Sequence, residues 1–75
     1  MTQMQLKVSR MYDAQEFIVD FPPKWLVVDV QDGRVFDAEF PGEYKVSEDG
    51  LIDWAGNEIQ LNATSFERLK ETLAA

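Results

Sequence analysis

The chain has 75 residues, a formal net charge of −7 and no cysteine or histidine. Disulfides, thiolate or imidazole metal sites, and the common nucleophile–base pairs are therefore excluded. A chain this short buries about 60% of the surface its unfolded form exposes, and a core of that size supplies roughly 3–5 kcal/mol. Residues 1–75 read as one small domain, stabilised by a minimal core, by self-association or by a partner.

In chain order, Met4, Leu6 and Val8 alternate with polar residues, which predicts a half-buried strand running toward Tyr12. Asp13-Ala14-Gln15 reads as a turn. Phe17, Val19 and Phe21 alternate again, predicting a second strand over Glu16–Phe21 paired with the first and stopped by Pro22-Pro23.

Lys24–Phe40 reads as a hairpin around Asp32-Gly33. A two-residue loop would set Val28 and Leu26 against Asp37 and Glu39. A three-residue loop, Gln31-Asp32-Gly33, pairs Val28 with Phe36 and Leu26 with Ala38. It gathers Leu26, Val28, Val30, Phe36 and Ala38 on one side, and is the register preferred on pattern. The other side then carries Trp25, Val27, Asp29, Val35, Asp37 and Glu39.

After the Pro41-Gly42 turn, Glu43–Glu48 and Leu51–Ala55 are expected to pair through Glu48-Asp49-Gly50, with Tyr44 facing Trp54, Val46 facing Ile52 and Lys45 facing Asp53. A two-residue turn at Gly56-Asn57 would set Trp54 opposite Ile59 and Ile52 opposite Leu61. The period then changes. Thr64-Ser65-Phe66-Glu67 fits a capping box, and Phe66, Leu69 and Leu73 form one apolar helical stripe. The expected fold is α+β: a small antiparallel β-meander of five to six strands, with one C-terminal helix packed on the sheet. No internal repeat is evident.

The chemistry is sparse. The serines sit in no nucleophile-like context, the acids fall in turns or at outward strand positions, and neither Asp-Gly turn fits a calcium loop. The four glycines are isolated from one another, so no phosphate-cradling loop exists. No catalytic, cofactor-binding or metal-binding residue is assigned. The longest apolar run, Trp25-Leu26-Val27-Val28, is far too short to span a bilayer, and the first ten residues carry no signal-peptide pattern. The expectation is a cytoplasmic protein without membrane contact. Its acidity repels phosphate backbones, so direct nucleic-acid binding is not expected.

Two stretches carry a resemblance. Leu26–Arg34, LVVDVQDGR, is similar to the strand–Asp-Gly-Arg–strand signature of the bacterial family called domain of unknown function 2442. Gly50-Leu51-Ile52-Asp53-Trp54, followed by Ile59-Gln60-Leu61 and Leu69, resembles that family's second signature. The resemblance runs from Lys24 onward. Ala55 stands where the family usually has a proline, and Asn57-Glu58 where it has aspartates. What it implies is a small α+β domain with no known enzymatic activity and an antitoxin-like partner role beside a small protein.

These readings converge on a non-enzymatic protein–protein interaction module that binds a small basic protein, or itself as a homodimer. The candidate surface is Trp25 and Val27 as apolar anchors with Asp29, Asp37, Glu39 and Glu43 as an acidic rim. The alternative is an acidic inhibitor that mimics nucleic acid, of the kind carried by mobile elements or phages. An enzyme or small-ligand carrier is the third reading.

Overall fold

β1 (Thr2–Tyr12) is the strand that both halves of the fold share. In the computed structural model, which describes residues 1–75, β1 pairs through Thr2–Lys7 with β2 (Trp25–Gln31) and through Val8–Tyr12 with β6 (Glu58–Leu61). Between them run β3 (Arg34–Asp37), β4 (Glu43–Val46) and β5 (Gly50–Ile52). All neighbours are antiparallel, and the order β1-β2-β3-β4-β5-β6 closes into a barrel rather than an open meander. The α+β class, the six strands and the single C-terminal helix, α1 (Ala63–Ala74), are as expected.

Closure depends on a bulge. Val8 pairs with Leu61 and Arg10 with Gln60, leaving Ser9 as an extra residue. Such an insertion bends and twists a strand, so β1 can leave one partner and join another. It also shifts the inward parity: Met4, Leu6 and Val8 point inward before it, and Met11 packs on the core after it. The core is completed by Val28, Val30, Val35, Tyr44, Leu51, Ile59, Leu61 and Leu69.

Five sequence expectations about local structure are corrected. Glu16–Phe21 is not a strand; it touches β1 through a single bridge, Tyr12 to Ile18, and one backbone bond, Val19 N to Met11 O, while Asp13 N to Phe17 O closes the loop just past the strand. Phe17 and Phe21 are exposed. The local reason is Asp13, whose Oδ1 accepts from the Gln15 and Phe17 amides and folds the chain into a loop with Glu16 in the left-handed region at φ 69°.

The β2–β3 hairpin takes the two-residue loop, not the three-residue one. Gln31 pairs with Arg34, Val30 with Val35 and Val28 with Asp37. Both Asp32 (φ 54°) and Gly33 (φ 74°) are left-handed, the geometry that matches the twist of the flanking strands. Asp37 opposite buried Val28 is tolerated because it is the last residue of β3, where its carboxylate meets donors instead of core.

The next two registers shift as well. Lys45 pairs with Ile52 and Val46 with Leu51, so Ser47–Gly50 forms a four-residue loop. Leu51 pairs with Ile59 and Ile52 with Glu58, across a five-residue loop at Asp53–Asn57. Ile52 and Trp54 consequently leave the core face, and Leu51 becomes fully buried. Tyr44 and Trp54 still meet, with ring centroids 5.4 Å apart, because Trp54 folds back from the loop over Gly42.

The helix cap is Asn62, not Thr64. Its Oδ1 accepts from the Thr64 and Ser65 amides, satisfying donors that have no partner within the helix. Ser65, one turn in, is buried, and its Oγ accepts from the Lys7 amide at 2.9 Å. The Lys7 carbonyl in turn accepts from the Asn62 amide. These bonds fix α1 against the bend of β1, where Leu69 enters the core and Phe66 and Leu73 pack beside it.

Candidate partner-binding groove

β3 stops at Asp37 while its neighbour β2 continues past that point to Trp25. The cause is local. Asp37 Oδ2 accepts from the amides of Glu39 (2.9 Å) and Phe40 (2.8 Å), and the Tyr44 hydroxyl donates to Oδ1 at 2.6 Å. Those amides turn toward the carboxylate instead of continuing the ladder. The last bond across is Ala38 N to Val27 O, at 3.1 Å.

The gap beside the exposed end of β2 is a groove of about 260 Å³ lined by Pro23, Trp25, Leu26, Val27, Asp37, Glu39 and Phe40. A second concavity of about 420 Å³ lies between Phe36, Asp37, Phe40, Pro41, Gly42 and Glu43. Asp37 and Phe40 belong to both. Trp25 is 52% exposed and Phe40 62%, so the two rings are large apolar surfaces open to contact.

Four of the six candidate residues, Trp25, Val27, Asp37 and Glu39, are brought together in the first groove. Glu43 lies around the corner, on the outer side of β4 opposite Phe36. Its carboxylate is held by Arg34 through Nε at 3.0 Å and Nη2 at 2.5 Å. Asp29 sits farther up β2, between Gln3 and Phe36, and lines neither concavity. Val35, expected on the same side as Trp25, is core.

The acids differ in what they can offer. Partial burial pushes the Asp37 carboxyl up, but hydrogen bonds from Tyr44 and the Phe40 and Glu39 amides outweigh it and leave the group below its ordinary pKa. Asp37 is thus an anion consumed by its own loop. Burial first, then the bond to Asp37, raises the Tyr44 phenol, with the charges of Asp37 and Asp53 adding to it. The Arg34 bond lowers the Glu43 carboxyl against slight desolvation, and that charge is already paired. Glu39 is exposed, and its carboxylate forms no ion pair. It is the free charge at the groove.

Pro23, Leu26 and Phe40 complete the groove and were absent from the sequence-derived set. Phe40, an aromatic residue set directly before the Pro41-Gly42 turn, was the available signal, because turns seldom bury a phenylalanine. No group of three or more acidic side chains is placed to hold a metal ion, and no helix is long and apolar enough to cross a membrane. In comparisons with protein-family models, curated proteins and solved structures, nothing matches this chain.

Proposed function

We propose that the chain is a non-enzymatic, cytoplasmic interaction module whose groove beside Trp25 receives an apolar, positively charged segment of a small partner protein. The observation that carries this reading is the pairing of two exposed aromatic rings, Trp25 and Phe40, with the unpaired carboxylate of Glu39 in one groove. Aromatic anchors with a charged rim are the usual anatomy of an interface. The net charge of −7 favours encounter with a cationic partner over a wide range of approach directions. An antitoxin-like role, implied by the resemblance to domain of unknown function 2442, belongs to the same proposal.

The test is co-purification from the native cell, comparing the unaltered chain with Trp25→Ala, Glu39→Lys and a control, Glu48→Lys, at an exposed position of the Ser47–Gly50 loop. A small basic polypeptide in equal stoichiometry, lost in the first two variants and kept in the third, supports the reading. Partner retention in all three overturns the groove. A complex displaced by added DNA supports nucleic-acid mimicry instead, and a clean homodimer by light scattering shows that the surface serves self-association.

A further inference from the structure

The groove has a backbone side that residue types alone do not reveal. The Lys7 amide donates to Ser65 Oγ and the Lys7 carbonyl accepts from Asn62. Lys7 is the residue of β1 opposite Trp25, so Trp25 makes no ladder bonds toward β1. Its N–H and C=O face the other edge, where β3 has already ended. Val27 also faces that edge. Its carbonyl accepts from Ala38, while its N–H has no backbone acceptor there. The Trp25 N–H, Trp25 C=O and Val27 N–H therefore form a short open strand edge along the floor of the groove. The strand order as a whole closes into a barrel, and closure is how such folds normally remove edges.

Building on the interaction reading above, we propose that an extended segment of the partner adds to β2 at Trp25–Val27, in the space where β3 would have continued. Three backbone groups two residues apart match the repeat of a strand, and strand addition takes its affinity from main-chain bonds and its specificity from alternate side chains. The alternate positions of such a segment meet different chemistry. One set lies along Trp25, Val27 and Phe40, suited to leucine, valine or an aromatic residue. The other set reaches Glu39, suited to lysine or arginine. The partner class is thus an extended segment alternating apolar and basic residues. A helix presents no main-chain donors along its side and would leave the edge unpaired.

The probe is a nine-residue peptide alternating leucine and lysine, with a second version N-methylated at alternate residues and a third with glutamate for lysine. Affinity is read by isothermal titration, and the Trp25 and Val27 amides by hydrogen exchange. Strand addition predicts protection of both amides, and about tenfold weaker binding on N-methylation, the loss of roughly one well-formed hydrogen bond. The glutamate peptide should not bind. Binding of the lysine peptide that survives N-methylation, protects neither amide and is lost in Glu39→Lys overturns strand addition and leaves the side-chain groove standing. No binding by either lysine-containing peptide overturns the inference. Protection that appears with protein concentration alone places a second copy on the edge and overturns the basic partner. Val27→Pro deletes one of the three edge groups and should weaken the unmethylated peptide to a similar degree. The N-methylated peptide provides the same test without altering the fold.

Discussion

The Tyr44 hydroxyl donates a 2.6 Å hydrogen bond to Asp37 Oδ1, while Asp37 Oδ2 holds the amides of Glu39 and Phe40. One carboxylate therefore ends β3, shapes the loop that walls the groove, and satisfies the hydroxyl of a core tyrosine. Tyr44→Phe should cost about 1 kcal/mol, and Asp37→Ala about 2 kcal/mol because it strands three donors, two of them near solvent. Urea midpoints would measure both. A charge reversal at Asp37 would damage the loop as well as the charge, so Glu39 is the cleaner probe of binding.

The same pair sets a pH dependence at both extremes. The Asp37 carboxyl is lowered in the folded state, so its contribution is present above the ordinary carboxylate range and lost as pH falls through the depressed value. The Tyr44 phenol is raised. Its contribution is present below the ordinary phenol pKa of about 10 and lost as pH rises beyond it. Denaturation midpoints followed across pH should flatten at the acid end in Asp37→Asn and at the alkaline end in Tyr44→Phe. Unchanged profiles in both variants would remove the pair as the cause.

Gly50 and Gly42 are both tightly approached, but by different things. A Cβ on Gly50 would lie 1.9 Å from the Ile59 carbonyl oxygen, within the β5–β6 ladder, and backbone cannot step aside. One on Gly42 would meet the Trp54 ring at 2.2 Å, and that ring is half-exposed and free to swing. Gly50→Ala should therefore cost about 3 kcal/mol or more, and Gly42→Ala about 1 kcal/mol, mostly from lost contact between Trp54 and Tyr44. Tryptophan fluorescence separates the two: it should change in folded Gly42→Ala.

Much of this was legible in the alternation of side chains. β1, the inward faces of β2 and β6, and the stripe of α1 follow from residues such as Leu6, Val28, Ile59 and Leu69. What alternation does not encode is loop length, and the β5–β6 register traces to a polar residue whose hydrogen bonds lie within its own loop. Asp53, read as a strand residue, caps a five-residue loop and shifts β5 against β6 by an odd number. An odd shift turns every side chain of a strand to the opposite face, which is why Trp54 moved outward. The groove was half legible: Trp25, Val27 and Glu39 were found from type and spacing. Asp37 was found for the wrong reason, since its loop absorbs its charge. The open edge of β2 was invisible, because it depends on which way the Lys7 backbone points.

The capping-box pattern points to Thr64 as the helix cap, whereas the bonds assign it to Asn62. Asn62→Ala should lower stability by about 1 kcal/mol and Thr64→Ala by a few tenths, since Thr64 is exposed and bonds only through its amide. Ser65→Ala, expected from a capping box to be mild, should instead cost about 1–2 kcal/mol. It leaves the part-buried Lys7 amide without an acceptor. Chemical denaturation of the three alanine variants would rank them.

Asp13–Phe17 and Asp53–Asn57 are the same loop built twice. In each, the first residue's amide donates to the fifth residue's carbonyl, and the fourth residue's amide returns to the first carbonyl. In each, the aspartate Oδ1 accepts from the third and fifth amides. The fourth residue is left-handed in both, as Gly56 at φ 88° and as Glu16 at φ 69°. The two loops lie side by side, with Ala14 next to the open side of Gly56. Glycine takes this conformation freely, whereas a side chain pays about 1–2 kcal/mol. Glu16→Gly should therefore stabilise the protein by about 0.5 kcal/mol after the added flexibility of the unfolded chain is subtracted. Gly56→Ala, with no neighbour closer than 3.4 Å to the new methyl, should destabilise it by about 1 kcal/mol through the backbone alone. Opposite shifts in melting temperature for this pair would establish the shared loop; shifts of the same sign would refute it.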